Sequence, residues 1–214
     1  MKDIPLFTTE FGVASLVLKE VPYRQEAYVR VRSAQPGQMG ELLKECVSFC
    51  RMVGAERVYA TGYDEQDDRV CYGSVIQMRG ELLVDGSLVE NLFPVTEQTV
   101  SRWREICNDR MRQVDFAATL TAADESRILS SGGAYFIHKN GELLGTGWLE
   151  DGKLLLICGV QAGAGERVMH TLLSLTEGAP VELEVASTNL RAIRLYERLG
   201  LIRTKEITKW YKIF

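Results

Sequence analysis

"AYFIHKNGELLGTGWLEDGKLLLICGV", residues Ala134–Val160, is the stretch whose reading decides the fold. Asn140-Gly141 and Asp151-Gly152 each stand between apolar runs, and both dipeptides favour the positive-φ conformations of a two-residue hairpin turn. The spacing predicts three antiparallel strands in a meander.

Downstream, "QAGAG" (Gln161–Gly165) opens the amphipathic "ERVMHTLLSL", followed by "VELEV" (Val181–Val185) and the capped stretch "STNLRAIRLYERLG" (Ser187–Gly200). The order is strand, glycine turn, helix, strand, helix. "LIRTKEITKWYKIF" then predicts two closing strands. Upstream, "VDFAATL" predicts a strand and "TAADESRILSSGG" a short helix ended by glycines. Thr96, after Pro94, is a candidate cap for a helix over "EQTVSRWREICNDRMRQ".

A change of pattern near residue 92 divides the chain into 1–92 and 93–214. In the first part, "ASLVLKEV" and "AYVRVRSA" alternate as paired strands do. Met39, Leu42, Leu43, Val47, Phe49, Cys50 and Val53 lie on one face of a helix that Gly54 stops, and "AERVYATG" follows as a strand. "DRVCYGSVIQMRGELLVDG" adds one or two more, so both parts are α/β.

With a net charge of -4 and no Lys/Arg cluster, nucleic acid is not an expected partner. No apolar run is long enough to span a bilayer and the opening residues lack a signal-peptide pattern, which predicts a cytoplasmic protein without a membrane partner. The five cysteines are odd in number and scattered, as reduced thiols are. Cys46 and Cys50 are one helical turn apart, but His138 and His170 are the only histidines and no CxxC pair exists, so no metal is expected. The acidic "YDEQDDR" (Tyr63–Arg69) reads as a solvated loop, with attraction of a cationic substrate as the alternative.

Two features carry chemistry. Gly163 and Gly165 leave backbone amides uncovered where a helix starts, a setting suited to a phosphate or pyrophosphate, although many such turns are only tight turns. A dinucleotide fingerprint with Glu184 on a ribose fits less well, because Val168 occupies the third glycine position and the preceding strand closes an antiparallel meander. The second feature is the set Asn189, Ala192, Leu195, Tyr196, Glu197 and Gly200, an NxxAxxLYExxG pattern. On it, the chain from about Val114 to Phe214 resembles the GNAT family, the Gcn5-related acyl-CoA N-acyltransferases.

The resemblance implies a mixed, mostly antiparallel sheet flanked by helices, here preceded by a smaller α/β half. It implies acetyl-CoA as cosubstrate and an amine-bearing small molecule or peptide as acceptor. The strand before the glycine loop and the strand after the next helix would splay around the pantetheine arm. Val160 would line that arm, Gly163, Ala164, Gly165 and Glu166 would offer amides to the pyrophosphate, Asn189 would contact the arm, and Tyr196 would approach the sulfur. Where the family has Gln or Arg three residues before the first glycine this chain has Val160, with Gln161 one place out of register.

Acyl transfer to an amine needs a base and a proton donor for the thiolate. A phenol remains protonated at neutral pH, which makes Tyr196 the candidate acid. Glu182 and Glu184 share one face of their strand; Glu184 lies nearer the expected splay and is the candidate base, against a purely solvated role. Asp151 belongs to a turn, and a buried strand thiol such as Cys158 is usually inert. Ser187, Thr188 or Asn189 can each cap the helix, and Tyr196 can pack on its core face beside Leu195 and Leu199. The second function open to the sequence is a non-catalytic acyl-CoA-binding module. The first half repeats the outline of strand, glycine turn, helix and strand, as a degenerate copy without catalysis would.

Overall fold

The computed structural model describes residues 2–62 and 71–214. The acidic stretch Tyr63–Arg69 lies outside the described residues. Contacts divide the chain into two compact units, Met1–Ser74 with Thr208–Phe214, and Val75–Ile207. The sequence-based division near residue 92 falls inside the second of them.

The first unit contains β1 (Ile4–Thr9), β2 (Gly12–Val17), the short α1 (Val21–Arg24), β3 (Glu26–Ala34), α2 (Met39–Met52) and β4 (Arg57–Thr61). β1, β2 and β3 form an antiparallel meander, and β4 returns parallel to β3 after α2. The apolar stripe of α2 does what its spacing predicts: Leu42, Leu43, Cys46 and Cys50 are buried against Ala14, Leu16, Val29 and Val58. Gly54, with φ of 98°, follows its last turn. Glu26 is buried as a charge, and is held by Arg24 Nε and Arg57 Nη2, both at 3.0 Å, and by the Tyr28 hydroxyl at 2.7 Å. Without such partners a buried carboxylate costs several kcal/mol, about 3–5 when one member of a pair is removed.

The second unit takes up β5 (Cys71–Gly80) from Val75 onward and continues with β6 (Asn91–Pro94), α3 (Val100–Met111), α4 (Glu125–Ser131), β7 (Ala134–Lys139), β8 (Glu142–Glu150) and β9 (Lys153–Gly159). It closes with α5 (Gly165–Leu173), β10 (Val181–Ala186), α6 (Leu190–Arg198) and β11 (Ile202–Lys212), whose last residues belong to the first unit. The strand order is β11-β5-β10-β9-β8-β7-β6, and β9–β10 is the parallel pair in an otherwise antiparallel set of registers. Both predicted hairpin turns form, with positive φ at Asn140 and Gly141 and at Asp151 and Gly152.

Helices cover both faces of this sheet. α5 and α6 bury Val168, Met169, Leu172, Ile193 and Tyr196 against Leu144, Leu183 and Val185, while α3 and α4 bury Trp103, Cys107 and Ile128 against Trp148 and Cys158. The "GTG" of β8 explains how α5 comes so close. A Cβ on Gly145 would meet Val168, and one on Gly147 would meet Leu172.

Three expectations differ. "VDFAATL" forms no strand: the Asn108 carboxamide takes the place of a strand neighbour, accepting from Leu120 N at 2.9 Å and donating to Leu120 O at 2.8 Å. The strand instead is β6, where Pro94 sits at the end of a sheet-edge strand that a proline-containing tetrapeptide did not announce. The helix after it starts at Val100, with Thr99 rather than Thr96 at the N-cap position and no side-chain cap bond, since the Thr99 hydroxyl accepts from Thr96 N at 2.9 Å. "IRTKEITKWYK" is one strand of 11 residues rather than two. The stretch expected to add one or two strands contributes one among the described residues, β5.

Candidate functional site

The site begins where β9 and β10 part. They are paired at Glu182↔Lys153 and Leu183↔Leu154, and Glu182 N donates to Gly152 O at 2.9 Å. Beyond Leu154 the pairing stops. The cause is local: opposite β8, Leu154 faces Leu149 and Leu156 faces Trp148, so Leu155 is an extra residue, a β-bulge. Past the bulge, β9 remains bonded to β8 through Ile157↔Gly147, Cys158↔Thr146 and Gly159↔Gly145. β10 remains bonded to β5 through Glu184↔Gln77, Val185↔Ile76 and Ala186↔Val75. Each strand follows its outer neighbour, and a wedge opens between them toward their C-terminal ends.

The glycine loop stands at the end of β9. Val160 is fully engaged along its backbone, with N donating to Leu144 O at 2.9 Å and O accepting from Arg110 Nη2 at 2.7 Å. Ala164 N donates to Gln161 O, so that amide serves the turn itself. The amides of Gly163, Gly165 and Glu166 have no acceptor among the described residues, as expected for a loop and the first turn of a helix. A Cβ added at Gly163 would meet nothing within 4 Å. Of the four amides expected at this loop, three have no acceptor among the described residues, and the partial positive charge of a helix N-terminus favours an anion over a cation there.

α6 borders the wedge beside β10. Asn189 is its cap: the side-chain oxygen accepts from Ala192 N at 3.2 Å, and the amide NH2 has no acceptor among the described residues. The capping reading is correct for the oxygen and leaves the nitrogen free. Tyr196 is 6% exposed and packs in the same cluster as Leu183, Val185 and Ile193. Burial pushes its phenol well above the ordinary range, and the nearby Cys158 thiol acts in the same direction. The Tyr196 ring therefore packs on the core, while its hydroxyl, which has no hydrogen-bond partner among the described residues, is not among the fully buried unpartnered atoms.

Glu184 lies exposed on the opposite face of β10 from Leu183 and Val185, next to Gln77. The structure does not bring Glu184 and Tyr196 to one face of the sheet; the wedge lies between their two sides. Cys158 is 3% exposed and shares its environment with Cys107, whose thiol lies 3.3 Å from Thr146 Oγ1 and is pushed strongly up by burial. Asp151 is confined to its turn, as expected.

Two parts of the site were not read from the sequence. Arg110 reaches Val160 from α3, a contact set by tertiary packing. The bulge at Leu155 did leave a trace, since the run "LLLI" lacks the alternation of its neighbours, as a strand that changes phase must.

Sequence comparison finds no family model and no curated protein that matches the chain. Comparison with solved structures finds a GCN5-related N-acetyltransferase from Sphaerobacter thermophilus, at TM-score 0.55 and 13% identity over 94% of this chain and 75% of that one. A GCN5-related N-acetyltransferase from Anabaena variabilis is similar at TM-score 0.58 and 10% identity, over 94% of this chain and 59% of that one. A functionally unknown conserved protein from Staphylococcus epidermidis matches at TM-score 0.55 and 10% identity, over 96% and 91% of the two chains. Identities this low speak to architecture alone. Across most of its length the chain has the fold of the GCN5-related N-acetyltransferases.

Proposed function

We propose that the chain is an acyl-CoA-dependent N-acyltransferase that moves an acetyl group from acetyl-CoA directly to an amine on a small molecule or peptide. The observation that carries this reading is the wedge at the Leu155 bulge, opening next to a loop with three free amides. An extended pantetheine arm needs a sheet edge with free backbone groups, and its pyrophosphate needs amides at a helix start. Both are adjacent. Asn189, with its free amide NH2, borders the arm, and Val160 lines it by side chain since its backbone is engaged.

In the reaction the amine must first be neutral, which for a lysine-like amine costs about 4.6 kcal/mol at pH 7. Glu184, exposed on the acceptor side of the wedge, takes that proton. The nitrogen then forms its bond to the acyl carbon, the carbon–sulfur bond breaks as the thiolate takes the proton of Tyr196, and the proton that the nitrogen must still lose passes back to the Tyr196 phenolate, leaving a neutral amide and free CoA. Burial disfavours the Tyr196 anion and so weakens the phenol as an acid, which requires that the nitrogen's proton arrive as the phenol's leaves. The buried thiols fit a reducing, cytoplasmic setting.

We read the first unit as a copy that does not bind this cofactor. Its order of meander, turn, helix and parallel strand is that of β7–β10. Its parallel pair, however, stays zipped from Glu26↔Arg57 through Arg30↔Thr61, so no wedge forms.

The depth of Tyr196 favours one alternative, a module that binds acyl-CoA without turnover. Acetyl-CoA presented with a panel of amines separates the two. Release of free CoA with an acceptor supports transfer; saturable binding without release across the panel supports the module.

A further inference from the structure

Between Gly159 and Gly165 no side chain is charged, so any cation for a phosphate must come from elsewhere. The first turn of α5 holds two charges, Glu166 and Arg167. Arg167 is turned away, its Nη1 2.7 Å from Glu90 Oε1 and also bonded to Ser87 O. Glu166 instead meets Arg198, with Oε2 and Nη2 3.3 Å apart and the side chains 42% and 61% exposed. Arg198 arrives from the last turn of α6, which packs over the start of α5 so closely that a Cβ on Gly165 would lie 3.3 Å from Leu195 Cδ2. Arg194, one turn earlier on the same face of α6, has no ion-pair partner among the described residues.

Resting on the acyl-CoA reading above, we propose that Arg198 is the phosphate-recognising side chain of this site and that Glu166 is a built-in competitor for it. With no ligand, a carboxylate beside a helix N-terminus is favourable and neutralises Arg198. With a pyrophosphate on the free amides of Gly163, Gly165 and Glu166, the same carboxylate repels it. An exposed ion pair of this kind contributes little, about 0–1 kcal/mol, so the exchange is easy. A phosphate gives a guanidinium the stronger, two-pronged bond. The device selects thioesters that carry a phosphate-bearing arm over short thioesters that lack one.

The test is calorimetric titration of CoA into the wild-type chain, Glu166→Gln, Arg198→Gln and, as a control for surface charge, Arg203→Gln, which breaks the separate pair with Glu197. Glu166→Gln is expected to bind CoA roughly three- to tenfold tighter and Arg198→Gln roughly tenfold weaker, with Arg203→Gln within about twofold of wild type. Thermal melts confirm that all four are folded. The proposal is overturned if wild type binds CoA and Glu166→Gln binds it equally or more weakly. It is also overturned if Arg198→Gln and Arg203→Gln weaken binding alike. If no folded form binds CoA, the acyl-CoA reading itself fails, and this proposal with it.

Discussion

Tyr196 has one hydroxyl and no partner for it among the described residues, so its replacement by phenylalanine isolates the proton from the packing. Tyr196→Phe is expected to keep CoA affinity and melting temperature and to lower the acetyl-transfer rate roughly 100-fold. An unchanged rate would remove Tyr196 from the mechanism. Because its pKa is raised, no loss of rate from its ionisation is expected below pH 10. Asn189 gives a different signature: Asn189→Ala removes the bond to Ala192 N and is expected to cost about 1 kcal/mol, read from denaturant unfolding. Burial also pushes the Cys46 and Cys50 thiols from 9.0 up to about 12. A raised acid favours its protonated form in the fold, so this contribution is full below pH 9 and is lost as pH rises from 9 toward 12. Melting temperature should fall across that window, and the protein carrying both Cys46→Ala and Cys50→Ala should fall less.

At the scale of elements, hairpins and helices were legible because their signals are local. Asn140-Gly141 and Asp151-Gly152 specify turns by their own φ preferences, and α2 and α5 declare themselves by the 3.6-residue period of their apolar side chains. "VDFAATL" has strand composition yet no strand neighbour, since Asn108 takes up the backbone of Leu120; a distant side chain decided that segment. The wedge lies between these cases. The residues at its rim were legible as a pattern, but the bulge that opens it depends on the register of β9 against β8. The close approach of α5 to β8 yields a direct test: Gly147→Ala drives a methyl into Leu172 and is expected to destabilise the second unit by about 1–3 kcal/mol, measured by denaturant unfolding. A neutral result would mean that α5 can move away from β8 without loss.

At the scale of the molecule, two units share one order of elements and differ in whether the parallel pair stays closed. Five paired positions in β3–β4 against two in β9–β10 is the whole of that difference at the sheet. The sequence carried this outline as a repeated strand, glycine turn, helix and strand, but not the length of the pairing, which no single segment encodes. The account therefore expects one acyl-CoA per chain, held by the second unit. Calorimetric titration of acetyl-CoA into the intact chain tests this most directly: the predicted result is saturable binding at one equivalent per chain, and the absence of binding heat at millimolar acetyl-CoA would contradict the account.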